Sequence, residues 1–422
     1  MKQRALWSAV LVVTLAMTGC GSATGSDPAP GGGSAGKLVV WDWKSGEASA
    51  AGYLEKAKAD FAKKHPKVTV EFVAQPFDQY YTLLGAALQS GKGPDVMLFN
   101  GGGQIRDRVD SLVPLDEYVT ADKERLAGWD AFTKDGKTYA GPVTLQGHPI
   151  YYNKTIYQKA GLDPERPATT WDDFVANCAA IGKAGASCFA LGNKEGAGIQ
   201  FWLSALGSGI LTATEYDDWI AGKRDWNSPD VKRVFQLWKD AGDAGLNNKG
   251  ANSTAMFNDS FALFQSGKAA HVIGLMSDVG HWKDFNEFLT AEKLGVMRAP
   301  VVTPGTTPSL PYDGGIGYAV AKWTKDPRVA ADLVRSLTST DALKAFYADA
   351  GAIAADTTID VSAGGPAAAS IVAELKGGKP ALHVALSSKT LDLMGRLSQQ
   401  LLSGSVTVDE AVKQLAASDQ AG

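Results

Sequence analysis

The sequence predicts an α/β protein built as two lobes, and three observations carry that expectation. Residues 37–99 alternate short apolar runs with amphipathic segments in the order βαβαβ, the beginning of an open parallel sheet. The chain has 422 residues, 45% of them hydrophobic, which is too long for one core and calls for two. Finally, GKTYAGPVTLQGHPIYYNKTIYQKAGL, residues 136–162, reads as chain leaving one globular unit and entering another. It opens on an Asp135-Gly136 turn, runs extended from Thr138 to Leu145, and is then interrupted by Gly147 and Pro149. Proline has no N–H for a sheet ladder and holds His148 extended, so a regular central strand should not pass through here.

The elements follow in order. Lys2 and Arg4 precede an apolar run, Ala5 to Ala16, too short for a comfortable membrane span, so residues 1–20 read as an export signal. Met17-Thr18-Gly19-Cys20 resembles a lipobox, which would place lipid on Cys20. Residues 21–36 contain no large apolar side chain and read as a flexible linker spanning ~20–25 Å. Lys37 to Trp43 is a strand. Ala50 to Lys64 is a helix stopped by Pro66, and Val68, Val70 and Phe72 alternate as a second strand. Gln79 to Gln89 is a helix ended by Gly91. Pro94 to Phe99 is a third strand that delivers Asn100 and the triplet Gly101-Gly102-Gly103. In such sheets ligands bind beyond the C-terminal strand ends. The triplet reads either as a place of close backbone approach or as a mobile turn; the spacing of a phosphate-binding loop is absent.

Beyond the crossing, Asn153 opens a helix that closes at Gly161, and Thr170 with Asp173 has the spacing of a capping box. Gly198 to Leu206 carries Phe201 and Trp202 side by side. One should pack inward and the other is a candidate for the cleft. Helices are expected over Pro229–Gly242 and Thr254–Gln265, with Phe257, Phe261 and Phe264 forming a core stripe. Ala269–Leu275 and Leu294–Ala299 read as strands. The loop 301–317, rich in Pro and Gly, reads as a return crossing into a strand at Ile316–Ala321. Helices at Pro327–Leu337 and Asp341–Ala350 follow, then a third crossing at 363–370, and the chain ends as helix, turn, helix with Thr407 capping the last.

Formal charge is −4, or −6 without Lys2 and Arg4. No basic run exists, which argues against nucleic acid as a partner. Cys178 and Cys188 lie ten apart and read as a disulfide or as two buried thiols. No CxxC or Cys/His spacing points to a metal, and no cofactor is expected.

The wording of Gly136-Lys137 through YYNK and KAGL, TTWDDF at 169–174, GKAAHVIG at 267–274 and SGSVTVDEAVKQL at 403–415 resembles the family 1 extracellular solute-binding proteins. These are the maltose-type receptors of sugar ABC importers, and the resemblance covers about residues 37–418. It implies a type II periplasmic-binding-protein fold, with 37–145 and 317–363 in one lobe and 148–312 and 366–422 in the other. Hinge crossings are then expected at 145–148, 312–317 and 363–366. It also implies a carbohydrate ligand held in the cleft, a membrane permease as partner, a lipid-anchored monomer outside the cytoplasm, and no chemistry on the ligand.

A sugar presents apolar C–H faces and a rim of hydroxyls, so aromatic, amide, carboxylate and Lys side chains are the candidates for its site. By resemblance, Trp43, Lys44 and Ser45 match the first ligand loop, and Phe99 and Asn100 match the third-strand loop, where the Gly triplet replaces charged groups. Gln146 stands where maltose-type receptors carry a carboxylate. Phe201 and Trp202 match an aromatic pair of the second lobe. Met276 falls near a stacking Trp of the family, with Asp278 and Trp282 close by. Asp313 and Gly314 belong to the second crossing, and Gln79 and His148 complete the set. Two other readings stand beside this one. The first is a receptor for a glycerophosphodiester or polyol, which for a phosphate would call for more cations than Lys44. The second is a lipid-anchored glycoside hydrolase, for which neither GxSxG nor HExxH is present.

Overall fold

The computed structural model describes residues 36–277, 280–361, 364–375 and 379–420. The leader with Cys20, the linker up to residue 35, and the candidate Asp278 lie outside the described residues. The first strands are β1 (Lys37–Asp42), β2 (Thr69–Ala74) and β3 (Val96–Asn100). A small hairpin, β4 (Thr133–Lys134) and β5 (Lys137–Thr138), turns at Asp135 and Gly136, both with positive φ (51° and 73°), the geometry that a two-residue hairpin turn requires. Next come β6 (Ala140–Pro142), β7 (Leu145–Gly147), β8 (Ile150–Asn153) and β9 (Ser187–Phe189). The last are β10 (Ala269–Ile273), β11 (Leu294–Met297), β12 (Tyr312–Gly314) and β13 (Ile316–Val320).

These strands form two main sheets, ordered β2-β1-β3-β13-β6 and β11-β8-β10-β9. The expected parallel start is present: β1 pairs parallel with both β2 and β3. The chain then returns from far downstream to add β13 antiparallel to β3, with Ile316 opposite Asn100. The sheet is therefore mixed, and the ends of β1 and β3 and the start of β13 share one edge. β7 joins neither main sheet. Interrupted by Gly147 and Pro149, among the described residues it pairs with β12, Gln146 opposite Asp313.

Helices cover the sheets where the apolar periodicity places them. Ala51–Lys64 buries Tyr53, Leu54, Ala57 and Phe61 and packs on the helices Pro327–Leu337 and Thr340–Ala350. Tyr53 Oη donates to Leu337 O at 2.9 Å, which satisfies its buried hydroxyl. In the second hydrophobic core Gly198–Ile210 is buried on nearly every side and is flanked by Pro229–Asp243 and Ser388–Ser403. The capping residues act as read: Asn153 accepts from the N–H of Thr155 (2.9 Å), Thr170 from Asp173 (3.2 Å) and Thr407 from Glu410 (3.3 Å). Cys178 and Cys188 approach to 5.0 Å between Cα atoms, inside the span that a disulfide bridges.

One expectation is corrected. Phe261 and Phe264 are buried, but Phe257 is 47% exposed. The turn Met256–Ser260 is a π-helix, whose extra residue per turn rotates residue 257 off the stripe that an α-helical count predicts. Residue 363, where a third crossing is expected to begin, lies outside the described residues, and the helix Gly365–Leu375 follows it. The core around the first sheet continues into Phe261, Phe264, Trp282 and Phe285. Trp282 Nε1 donates to Gly351 O at 2.9 Å.

Candidate functional site

The shared edge of the first sheet is shaped by Asp42. Its buried carboxylate accepts the N–H of Lys44 (3.0 Å) and Ser45 (2.7 Å) and the hydroxyl of Tyr318 (3.0 Å), folding the chain into a tight turn as β1 ends. Burial raises the Asp42 pKa against these stabilising bonds. The turn sets Trp43 edge-on to Tyr80 at 4.8 Å and to Phe77 at 5.3 Å. Lys44 is 2% exposed, and its Nζ pairs with Glu47 at 2.8 Å.

At the end of β3, Asn100 N–H donates to Tyr81 Oη at 2.9 Å. The Gly triplet is required by close packing of protein backbone. A Cβ on Gly101 would stand 2.4 Å from Gly314 O, and one on Gly102 (φ 78°) would stand 2.9 Å from Val384 O. In β7 the alternation of a strand turns Leu145 and Gly147 into protein and Gln146 toward open space. A Cβ on Gly147 would meet Met276 Sδ at 3.0 Å.

These edges enclose a cavity of about 760 Å³. Trp43, Lys44, Asn100, Gln146, Phe201 and Gly314 line it, so six of the sequence candidates meet at one place. Among the described residues the other candidates do not line it. Gln79 is exposed on its helix, and Ser45 is held back on Asp42. Trp202 is 1% exposed in the second core, with its Nε1 donating to Val234 O; one helical step from Phe201 turns it away from the cavity. Met276 is fully buried behind Gly147, its carbonyl accepting from Ile353 N–H. Asp313 is buried, and burial pushes its pKa up to about 7; Gly314 N–H and the charge of Arg106 oppose this, while Asp130 adds to it. His148 is 1% exposed, its ring tilted against Phe201 at 4.3 Å and edge-on to His383 at 5.0 Å.

The sequence reading missed several lining residues. Phe77 is 55% exposed at the first turn of its helix, a position for a large apolar side chain that itself signals a use outside the core. Phe257 was hidden by the π turn. Gln104, Gln200, Gln265 and Asn258 add four primary amides to Asn100 and Gln146. Glu47, Asp284 and Asp392 add carboxylates, and burial raises the Asp284 pKa. His383 accepts or donates at Nδ1 with Ser204 Oγ (2.6 Å), and burial lowers its pKa to about 4, so it is neutral near pH 7. His383 and Asp392 come from the C-terminal third and carry no sequence signal for this role.

The lining therefore offers exposed aromatic faces, amides that donate and accept, and carboxylates that accept. Lys44, its one lining cation among the described residues, is paired with Glu47. Among the described residues no group of three His, Cys, Asp or Glu is placed to hold a metal, and no helix is long and apolar enough to cross a membrane.

A family model described as bacterial extracellular solute-binding protein matches residues 56–369. The maltodextrin-binding protein MdxE of Bacillus subtilis (strain 168) is 26% identical over 335 residues, 72% of this chain and 70% of that protein. The sn-glycerol-3-phosphate-binding periplasmic protein UgpB of Yersinia pestis is 25% identical over 216 residues, 48% of each chain. The chain spans about half the length of several other curated relatives it matches. A solved chitin oligosaccharide binding protein superposes with a TM-score of 0.78, covering 91% of this chain and 99% of that one at 19% identity, a likeness of fold.

Proposed function

The chain belongs to the bacterial extracellular solute-binding proteins, a family of binding proteins rather than enzymes, and from that premise we propose that its cavity captures an oligosaccharide for an ABC importer. One observation carries the reading. Phe77 and Phe257, large aromatics left 55% and 47% exposed and 180 positions apart in the chain, line the same cavity among six primary amides. Exposed aromatic faces suit the C–H faces of sugar rings, and amides suit hydroxyls that both donate and accept. A volume of about 760 Å³ suits several linked sugar units better than one.

The mechanism is capture by closure. The lobes are proposed as 37–145 with 317–363, and 148–312 with 366–422, moving about the segments 145–148, 312–317 and 363–366. Ligand wets one lobe first and then gains contacts to the other, and that difference in contacts favours the closed state. The closed monomer is then presented to a membrane permease. The lipobox reading of Met17 to Cys20 supports fatty acylation of Cys20 and a tether on the outer face of the cytoplasmic membrane. The 5.0 Å approach of Cys178 and Cys188 supports a disulfide.

The decisive experiment is calorimetry against malto-, xylo- and chito-oligosaccharides and their monosaccharides. Binding heat that grows from the monosaccharide to the oligosaccharide is expected, and no heat from any of them would remove the carbohydrate reading. The relative that binds glycerol phosphate prompts the second reading. Against it, the cavity carries Glu47, Asp284 and Asp392, and among the described residues no arginine lines it.

A further inference from the structure

The turn Leu382–Ala385 carries His383 to the wall of the cavity, and the chain around it is tied down at three carbonyls. Tyr216 Oη donates to Pro380 O at 2.7 Å, Trp219 Nε1 to Leu382 O at 2.9 Å and Arg106 Nη1 to Val384 O at 3.1 Å. With the backbone held on both sides of residue 383, the freedom that remains is rotation of the imidazole about its side-chain torsions. One side chain opposes that rotation. Ser204, fully buried in the helix Gly198–Ile210, places its Oγ 2.6 Å from His383 Nδ1.

The direction of that bond follows from burial. Among the described residues Ser204 Oγ has no other hydrogen-bond partner. If it accepted from Nδ1, its own O–H would be left buried without an acceptor, a costlier outcome than an unused lone pair. The hydroxyl therefore donates and Nδ1 accepts. Burial lowers the His383 pKa to about 4, so near pH 7 the ring is neutral and carries one proton, which then sits on Nε2. Nε2 bonds no protein group among the described residues and, unlike the ring nitrogens of His148, is not sealed within protein. His148 packs edge-on against the His383 ring at 5.0 Å and against Phe201 at 4.3 Å, so the three rings support one another.

We propose that Ser204 is a positioning residue of the binding site: its hydrogen bond fixes the His383 imidazole as the Nε2–H tautomer and aims that N–H into the cavity, where it donates to an acceptor oxygen of the ligand. A hydroxyl, ring or glycosidic oxygen accepts such a bond, whereas an ammonium group does not. Ser204 itself, being fully buried, acts only through the ring. The contact to ligand rests on the saccharide reading of the cavity, whereas the state of the ring does not.

The first measurement needs no ligand. Long-range proton–nitrogen NMR correlations of the imidazoles, recorded on the whole chain at neutral pH, read the tautomer, and the His383 signals are assigned by their loss in His383→Phe. A single Nε2–H tautomer is expected in the wild type and a mixture in Ser204→Ala. A wild-type ring protonated on Nδ1, or a single tautomer that persists in Ser204→Ala, overturns the proposal. The second measurement is calorimetry with maltotriose, xylotriose and chitotriose. For whichever of them binds the wild type, Ser204→Ala should weaken binding about five- to tenfold, the loss of one hydrogen bond, and His383→Phe at least as much. In the His383→Phe background Ser204→Ala should cost nothing further, because its effect passes through the ring. A serine that only supported packing would weaken both backgrounds alike, and that result overturns the proposal. If His383→Phe does not fold, His383→Asn replaces it, being too short to reach the Nε2 position. If none of the three sugars binds the wild type, the saccharide reading falls, and the positioning role stands or falls on the tautomer alone.

Discussion

Gln146 and Asp313 stand opposite each other in the two-stranded pairing of β7 with β12, yet their side chains have opposite fates. Gln146 faces the cavity, while Asp313 is buried with its pKa pushed up to about 7. The two segments proposed as crossings are thus hydrogen-bonded to each other at the residue that would touch ligand. The proposed hinge and the proposed binding contact share one ladder rung.

Removing that contact has a clear expected cost. Gln146→Ala should weaken binding of the cognate oligosaccharide by about 1–2 kcal/mol, ~5- to 30-fold, with little change in melting temperature, because the side chain faces the cavity rather than a core. Calorimetry reads the affinity. Unchanged affinity would mean that ligand sits elsewhere in the cavity.

The aromatic residues divide by exposure. Phe77→Ala and Phe257→Ala should each lower affinity by about 1–2 kcal/mol and leave stability nearly unchanged, since both side chains are about half exposed without ligand. Trp202→Ala should do the reverse, costing about 3–5 kcal/mol of stability through lost core packing. Paired urea melts and titrations separate the two behaviours, and a Trp202 variant with normal stability but lost binding would contradict this division.

Asp313 predicts a pH dependence. Its folded pKa, about 7, lies above the ordinary carboxyl value of about 4, so between those limits the native state holds a proton that the unfolded chain releases. This contribution to stability is complete below about pH 4 and is lost as pH rises through 7. Asp313→Asn keeps an acceptor for Gly314 N–H and removes the ionisation. Its melting temperature relative to wild type should therefore rise by a few degrees between pH 5 and pH 8, and parallel curves would refute the assignment.

The cysteine pair gives a further check. Closing a loop of about ten residues stabilises by about 2–3 kcal/mol, so Cys178→Ser should lower the urea midpoint accordingly in oxidised protein. The same substitution should have no such effect on protein kept reduced. Thiol titration of unfolded wild type without reductant should find neither Cys178 nor Cys188 free.

Much of the architecture was legible in the chain alone, because it is written in local signals. The periodicity of Ala51–Lys64, the caps at Asn153, Thr170 and Thr407, and the Asp135-Gly136 turn each depend on neighbours within a few residues. The irregular strand at Gln146 was readable for the same reason: Gly147 and Pro149 forbid an ordinary one. The tertiary structure decided which side chains face the cavity. One helical step separates Phe201 from Trp202, and a single π turn frees Phe257 from the core stripe. His383 and Asp392 reach the site only because the C-terminal helices fold back against Gly102 and Gly103. His148 and Ser309 line one small cavity although they are 161 positions apart, and no local pattern could join them. Secondary structure follows from short-range sterics and periodicity, whereas a binding site is a convergence of distant residues whose geometry only packing determines.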